Sequence, residues 1–334
     1  MKHFNISDIA KVIEKYDSIV IFHHIRPDGD CIGAQLGLKT LILDNFPNKQ
    51  VFAIGDHKKS FSFLKLELDS VPSDVILVNS LAIIVDANFK NRIEFAYLFE
   101  KINFPEILRI DHHPNDDDFF DIHRWVDSTY VATCEQIAYL AYSQKWKISQ
   151  RAAELIYLGI YTDSGRFLYK NTSARTHFLA GILFETEFNF SLIHEKMNSK
   201  KLKDLEFDSY IFANKKIFKN VIFYTLSLEE QKKIGRNPLN SVKPNLLANI
   251  ENFKIWLCFV QETENSWRLE FRSAGPDVQK VAKKYGGGGH LNASGAVVEN
   301  LENLNFILKD CQEAYENWKS NLNSIKAEKF IKKC

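Results

Sequence analysis

Residues 18–30 read SIVIFHHIRPDGD, and the fold follows from how that stretch is divided. The run SIVIF, Ser18–Phe22, is short, apolar and rich in β-branched residues, so it predicts a strand buried on both faces. It stops at a polar segment carrying His23, His24, Arg26, Asp28 and Asp30. A helix-period segment follows over 33–43. The pattern recurs along the first half of the chain. LAIIV, Leu81–Val85, ends on Asp86, and the strand predicted over 107–110 ends on Asp111-His112-His113-Pro114. A further strand is predicted over 51–54, with helices over 33–43, 91–102 and 132–142. Continuous apolar strands alternating with helices predict βαβ units and a parallel sheet covered on both faces. A helix over 149–162, with Ser149 as its N-cap, runs into Asp163-Ser164-Gly165-Arg166-Phe167.

In an open α/β sheet, ligands bind outside the carboxyl ends of the strands. That rule would bring His24, Asp28, Asp30, Asp86, His112, His113 and Asp163 to one place. Taken singly, each of these residues is also what a turn or a helix cap uses, and Asp28 or Asp30 would serve as an N-cap. Taken together they pose an electrostatic problem, because clustered carboxylates repel and are costly to bury unpaired. Arg26, Arg109 and Arg166 could supply positive charge. Imidazoles mixed with carboxylates point instead to divalent cations, and four carboxylates balance two of them. Mixed oxygen and nitrogen donors suit Mn2+, with Mg2+, Co2+ or Fe2+ as substitutes. Two ions about 3.5–4 Å apart can activate water and clamp a phosphate.

The chain has 334 residues, which predicts two domains. Its 43 basic and 42 acidic residues nearly cancel, which argues against a protein that coats long nucleic acid by bulk attraction. Five scattered cysteines, Cys31, Cys134, Cys258, Cys311 and Cys334, form no CxxC pair and fit a reducing cytoplasm. The first ten residues lack an apolar signal core, and no apolar run approaches a membrane span, so no membrane association is expected. Residues 188–214 read as a charged helical connector. Beyond it, Val221–Leu226 predicts a strand, Ser227 and Glu230 the capping box of a helix, 254–261 and 267–271 a strand pair, 278–284 a helix, and 301–319 a long final helix. The expected division is 1–187, a linker over 188–214, and 215–334. Gly286-Gly287-Gly288-Gly289-His290 reads as a loop, since glycines weaken regular structure by about 1 kcal/mol each and suit close approach of backbone to a ligand. Trp256 and Trp267 are expected in the core. Tyr285, Phe167 and Tyr169 are weaker candidates for lining a nucleotide pocket, and Lys283 and Lys284 read as a solvated face.

His24-x-x-x-Asp28-x-Asp30, Asp86, Asp111-His112-His113 and Thr162-Asp163-Ser164-Gly165, in that order, resemble the four motifs of the DHH phosphoesterases. Phe271-Arg272-Ser273, the glycine run with His290, and Ala293-Ser294-Gly295 resemble the C-terminal domain associated with that family. The resemblance spans most of the chain and is nearest the branch that acts on short oligoribonucleotides and on 3′-phosphoadenosine 5′-phosphate (pAp). RecJ-type exonucleases carry an extra OB-like domain not found here, and family II pyrophosphatases use a different second domain.

The resemblance implies an α/β enzyme of two domains, a larger parallel-sheet domain and a smaller substrate-binding one, with the active site in the cleft between them. One ion would take His24, Asp28 and Asp86, and the other Asp30, Asp86, His112 and Asp163. His113 would face the scissile phosphate and Asp111 would orient the histidine pair. Arg272, Ser273, Gly287, Gly288, Gly289 and His290 would hold the substrate end. Expected substrates are pAp and short RNA or DNA oligonucleotides. Cyclic di-AMP or linear dinucleotides are the alternative, and a nucleotide-sensing module without turnover is the non-enzymatic one. Oligomeric state is left open, a homodimer included. Cys31 and Ala87-Asn88 depart from the residues usual at those motif positions, and His23 competes with His24.

Overall fold

The computed structural model describes residues 6–57, 60–113 and 116–331, with side chains to residue 324. Pro114, Cys334 and the first five residues of the N-terminal stretch lie outside the described residues. The chain divides into two units, Met1–Ser199 and Lys200–Cys334.

The first unit is built on strands β1 (Ser18–Phe22), β2 (Gln50–Ala53), β3 (Leu81–Val85), β4 (Glu106–Asp111) and β5 (His123–Val126). They form one parallel sheet in the order β2-β1-β3-β4-β5. Alternate residues of each strand serve different cores. Ile19, Ile21, Ile83 and Ile110 pack against the helices Ile6–Lys15, Gly29–Asn45, Thr133–Ser143 and Gln150–Asp163. Val20, Phe22, Ala82 and Ile84 pack on the other side with Ile93, Leu98, Phe104 and Phe119. Every residue of β3 is buried, as a strand covered on both faces requires. Because β1 lies between β2 and β3, the connections leaving it diverge, and the carboxyl ends of β1 and β3 form the switch point of the sheet.

The helix expected over 91–102 does not form. The segment holds a short 3-10 turn, Lys90–Arg92, and a single α turn, Leu98–Lys101. Its backbone is recruited elsewhere: Ile25 N–H donates to Arg92 O (2.6 Å), Glu94 N–H donates to His23 O (2.9 Å), and Ile93 bridges His24. Tertiary pairing with the segment that carries His24 thus overrides a weak helical period. By contrast, Ser149 does cap Gln150–Asp163, accepting from Ala152 N–H, and Asp28 caps Gly29–Asn45.

The second unit is a mixed sheet of β6 (Lys216–Phe218), β7 (Val221–Leu226), β8 (Ile255–Thr263), β9 (Ser266–Ser273), β10 (Gly288–His290) and β11 (Ala293–Val298), ordered β10-β11-β9-β8-β7-β6. β7 and β8 are parallel and the other pairs antiparallel. Leu257, Phe259, Phe271, Ile307 and Cys311 form the core on one face. Phe207, Ile211, Trp256 and Cys258 form it on the other. Ser227 and Glu230 make the expected capping box. Residues 188–214 form two helices, Phe190–Asn198 and Leu202–Asn214; Ile193 packs in the first unit, and Phe207 and Ile211 in the second.

The glycine run is not a loop throughout, because Gly288–His290 is the edge strand β10, paired with β11. A side chain at Gly287 would strike Gly295 O and Ala296, and one at Gly289 would come within 2.6 Å of Ala293 O at a φ of 131°. These two positions are therefore glycine for the approach of the chain's own neighbouring strand. Trp256 is buried and Trp267 partly so. Tyr285 packs on the core and donates its hydroxyl to Asp310 (2.8 Å), and Lys284 pairs with Asp310 (2.9 Å) at the surface. Among the described residues no helix is long and apolar enough to cross a membrane.

Candidate metal centre

Each of the four acidic segments arrives at the same end of the first sheet. His24 follows β1, Asp86 follows β3, and Asp111, His112 and His113 end and follow β4. Asp28 and Asp30 open the helix Gly29–Asn45, and Asp163 closes Gln150–Asp163. The switch point predicted from the strand order is where they meet.

Asp86 stands at the middle, 1% exposed. Its Oδ2 lies 3.4 Å from His24 Nε2, and its Oδ1 lies 3.4 Å from His112 Nε2. The two carboxylate oxygens thus face two different groups. On one side His24 Nε2 is also 3.6 Å from Asp28 Oδ2. On the other, His112 Nε2 is 3.4 Å from Asp163 Oδ2 and 3.8 Å from Asp30 Oδ2. The ligating atoms of Asp30, His112 and Asp163 lie within 4.8 Å of one another, as do those of Asp86, His112 and His113. The backbone at Asp86 is left-handed, with a φ of 56°, a conformation uncommon outside glycine that the surrounding structure must hold in place.

The supports are specific. His24 Nδ1 donates to Ile25 O (2.8 Å), which commits that nitrogen and aims Nε2 at the carboxylates. Asp28 Oδ1 accepts from Asp30 N–H and Cys31 N–H (3.0 Å each), leaving Oδ2 for His24. Asp30 is fully buried and accepts from Thr133 N–H (2.7 Å) and Cys134 N–H (2.9 Å), the first amides of Thr133–Ser143. The positive end of that helix therefore faces the cluster. Thr133 Oγ1 donates to Asp86 Oδ1 (3.2 Å). Gly159 keeps the neighbouring helix close enough that a Cβ there would sit 2.7 Å from Asp30 Oδ1.

His113 Nδ1 pairs with Asp111 Oδ1 (2.8 Å) and lies 3.3 Å from Asp86 Oδ1. Asp111 also accepts from His113 N–H (3.0 Å) and from Arg109 Nε (3.0 Å) and Nη2. With four donors upon it, Asp111 has no oxygen to offer an ion. Of the arginines considered as counter-charge, Arg109 turns to Asp111 and Asp117, Arg166 donates to Asn198 (2.8 Å), and Arg26 is exposed. None of these contacts places a guanidinium among the clustered carboxylates. His23, the competitor of His24, bonds through Nδ1 to His24 O (2.8 Å), and its Nε2 faces Gly55.

Without a cation, the site draws protons. Burial alone would lower the three imidazoles, but the carboxylates overcome it. Asp28 and Asp86 raise His24, Asp86 raises His112 to about 9, and Asp111 and Asp86 raise His113 to about 10. Burial and the charge of Asp86 push Asp30 up to about 7, and burial, Asp30 and Asp86 push Asp163 well above the carboxylate range. For Asp86 burial acts upward, yet His112, His113 and His24 hold it far below its usual value. The cluster is short of positive charge. One buried atom shows what is missing: among the described residues His112 Nε2 has no hydrogen-bond partner, and it lies 3.4–3.8 Å from three carboxylates. An oriented nitrogen among oxygen donors fits a divalent metal of borderline hardness. The Cys31 thiol lies within 4.8 Å of the ligating atoms of His24 and Asp28; burial raises it to about 12, and it donates to Asp28 O (3.7 Å).

In the second unit the residues expected to grip substrate share one end of the sheet. Arg272 is opposite Ala293, and Ala293 opposite His290. Arg272 is partly exposed, pairs with Glu270 (3.1 Å) and donates to Phe271 O (2.9 Å) and Ser294 O (3.2 Å). Ser273 is buried; its hydroxyl donates to Pro276 O and accepts from Asn292 (2.7 Å). Gly288 has open space where a Cβ would be, and His290 is exposed. Phe167 packs on the first core and Tyr169 is 53% exposed. Sequence reasoning missed Thr133 and Asp117, and it considered Arg109 only as counter-charge to the cluster; two residues before Asp111 on a strand, Arg109 shares that residue's face.

Residues 18–160 match the DHH family, N-terminal domain, and residues 219–317 match the DHHA1 domain. The chain is 49% identical over 313 residues to the bifunctional oligoribonuclease and PAP phosphatase NrnA of Mycoplasma pneumoniae, covering 92% of this chain and 96% of that protein. It is 33% identical to the protein of that name from Bacillus subtilis, covering 92% and 97%. Among solved structures it resembles an exopolyphosphatase-related protein from Bacteroides fragilis, with a TM-score of 0.80 and 26% identity over 95% of this chain and 97% of that one.

Proposed function

The chain belongs to the DHH family, and on that premise we propose that it is a metal-dependent phosphoesterase, hydrolysing short oligoribonucleotides to mononucleotides and pAp to AMP and phosphate. The observation that carries this reading is the division of Asp86, one oxygen toward His24 and the other toward His112, each imidazole in its own set of carboxylates.

We assign His24, Asp28 and Asp86 to one divalent cation and Asp30, Asp86, His112 and Asp163 to a second, with Mn2+ favoured and Mg2+ or Co2+ as substitutes. When bound, such ions supply Lewis acidity toward phosphoryl oxygens and lower the pKa of water. The protein's own groups do the rest. Asp111 holds the His113 ring, which offers charge-assisted hydrogen bonding to a phosphate oxygen as negative charge grows there. Water adds to phosphorus, the P–O bond to the departing nucleoside oxygen breaks, and that oxygen takes a proton. Arg272, Ser273, the backbone of Gly287, Gly288 and Gly289, and His290 hold a terminal phosphate or its ribose.

Purified protein assayed in Mn2+ against pAp, RNA dimers to pentamers, DNA oligomers and cyclic di-AMP tests the reading. Hydrolysis of pAp and of the short RNAs is expected. Turnover confined to cyclic di-AMP would replace the substrate assignment, and binding with turnover of none of these substrates would replace the enzyme with a sensor.

A further inference from the structure

We propose that Arg109 is a positioning residue for this hydrolysis, fixing the His113 imidazole through Asp111 and the backbone that carries Asp86 through Ala87. The proposal rests on the reading of this centre as a phosphoesterase site. Arg109 is fully buried at the end of β4. Its Nε donates to Asp111 Oδ2 (3.0 Å) and to Ala87 O (3.0 Å), and Nη2 donates to Asp111 Oδ2. Nη1 donates to Asp117 Oδ2 (2.9 Å). Asp117 is gripped in turn by Arg124, through Nε (2.7 Å) and Nη2 (2.8 Å). Arg124 is anchored on β5 by donating to Ile122 O (3.0 Å) and Phe119 O (2.8 Å).

One planar side chain thus ties together three stretches of backbone: the residue after Asp86, the strand end carrying Asp111 and His113, and the segment around Asp117. Two arginines and two aspartates make the group neutral in itself, so it lends the carboxylate cluster no net charge. Its contribution is geometrical. Nor does stability account for it, because a buried ion network of this kind is often matched or bettered by well-packed apolar residues. Only a guanidinium has donors fixed in three directions; an ammonium at the same place reaches fewer acceptors and fixes none of their angles.

The test uses Arg109→Lys and Asp117→Asn in the full chain, with folding checked by circular dichroism. Two readouts are taken: kcat and KM for a short RNA in Mn2+, and the Nδ1–H proton resonance of His113 in metal-free protein, assigned by its loss in His113→Gln. Misplacing reacting groups by about 1 Å costs about a hundredfold in rate. Arg109→Lys is therefore expected to lower kcat about a hundredfold, with KM within about threefold, and to shift or broaden the His113 resonance. A folded Arg109→Lys protein with kcat within about threefold of the parent, or with the resonance unmoved, overturns the proposal. Should Arg109→Lys not fold, Asp117→Asn decides, since it keeps the Arg109–Asp111 pair and weakens the carboxylate anchor that Arg109 shares with Arg124. A drop of about tenfold in kcat with a moved resonance supports the proposal, and parental values overturn it. If the parent protein hydrolyses none of the substrates, the functional reading has failed, and the resonance alone still decides whether Arg109 positions His113.

Discussion

Replacing Asp86 by asparagine removes one charge, keeps the shape of the side chain, and should abolish both catalysis and cation binding while leaving the fold in place. Each oxygen of Asp86 stands 3.4 Å from an imidazole nitrogen that lines one of the two proposed sites. At that distance a pair of unit charges interacts by about 5 kcal/mol at an effective dielectric near 20. A thousandfold in rate corresponds to only about 4 kcal/mol, so a loss of at least that factor is expected. Thermal unfolding supplies a second reading. A ligand at a hundred times its dissociation constant stabilises the folded state by about 2.7 kcal/mol. For a unit the size of Met1–Ser199, that is a rise in Tm of about 5–11 °C. The parent should show this rise on adding Mn2+ and Asp86→Asn should not. Neutralising Asp86 relieves its repulsion of Asp30 and Asp163 and also removes the charge that pairs with His24, His112 and His113, so the metal-free variant is expected to fold with a lower Tm than the parent. A folded Asp86→Asn protein with near-parental turnover, or with an undiminished Mn2+ shift, refutes the assignment of Asp86 to both cations.

Chelation with EDTA should abolish hydrolysis and Mn2+ restore it, with Ca2+ a poor substitute because its coordination is larger and looser; full activity in protein shown free of metal by elemental analysis would end the metal-dependent reading. RNA of two to five nucleotides should be hydrolysed faster than 20-mers, since a chain with 43 basic and 42 acidic residues offers little extended electrostatic track; faster processive digestion of the 20-mer would point to a long-strand exonuclease. Arg272→Ala should lower kcat/KM for pAp about ten- to hundredfold, the worth of one hydrogen bond to a charged group, while the Mn2+ thermal shift and the weak hydrolysis of bis-p-nitrophenyl phosphate stay unchanged. Equal damage to both substrates in well-folded protein would mean that Arg272 serves its internal partners, Glu270 and Ser294.

Much of the first sheet was readable because apolar runs ended abruptly on acids. β1 and β3 have the predicted bounds, and β4 extends the prediction by one residue at each end. The strand-end rule also placed His24, Asp86 and the histidines of β4 together, since it depends only on strand polarity. Legibility failed where a segment's role is set by distant backbone. The stretch 91–102 has a helical look but pairs with His23, His24 and Ile25. β5 has only four residues and mixes His123 and Arg124 with Trp125 and Val126, so it lacks an apolar run. Amides that donate to Asp30 have no side-chain signature. The glycine run was read for its freedom, and its constraint came from β11, a strand not predicted.

The proposed ligands are unequal in their other duties, and this sets the order in which a lineage could give them up. Asp30 completes the start of Thr133–Ser143, and Asp28 caps Gly29–Asn45. Losing either unravels a helix end as well as a binding position, a loss of about 0.5–2 kcal/mol for a cap. Asp163 lies at the end of its helix, partly exposed, within ion-pair distance of His112. Among the described residues no backbone amide donates to it. Its replacement would therefore silence the chemistry at little cost to folding. A descendant that abandoned turnover and kept nucleotide binding would be expected to have lost Asp163 early and Asp30 last, so the surviving acids of an inactive relative would mark scaffold duty and the missing ones would mark catalysis.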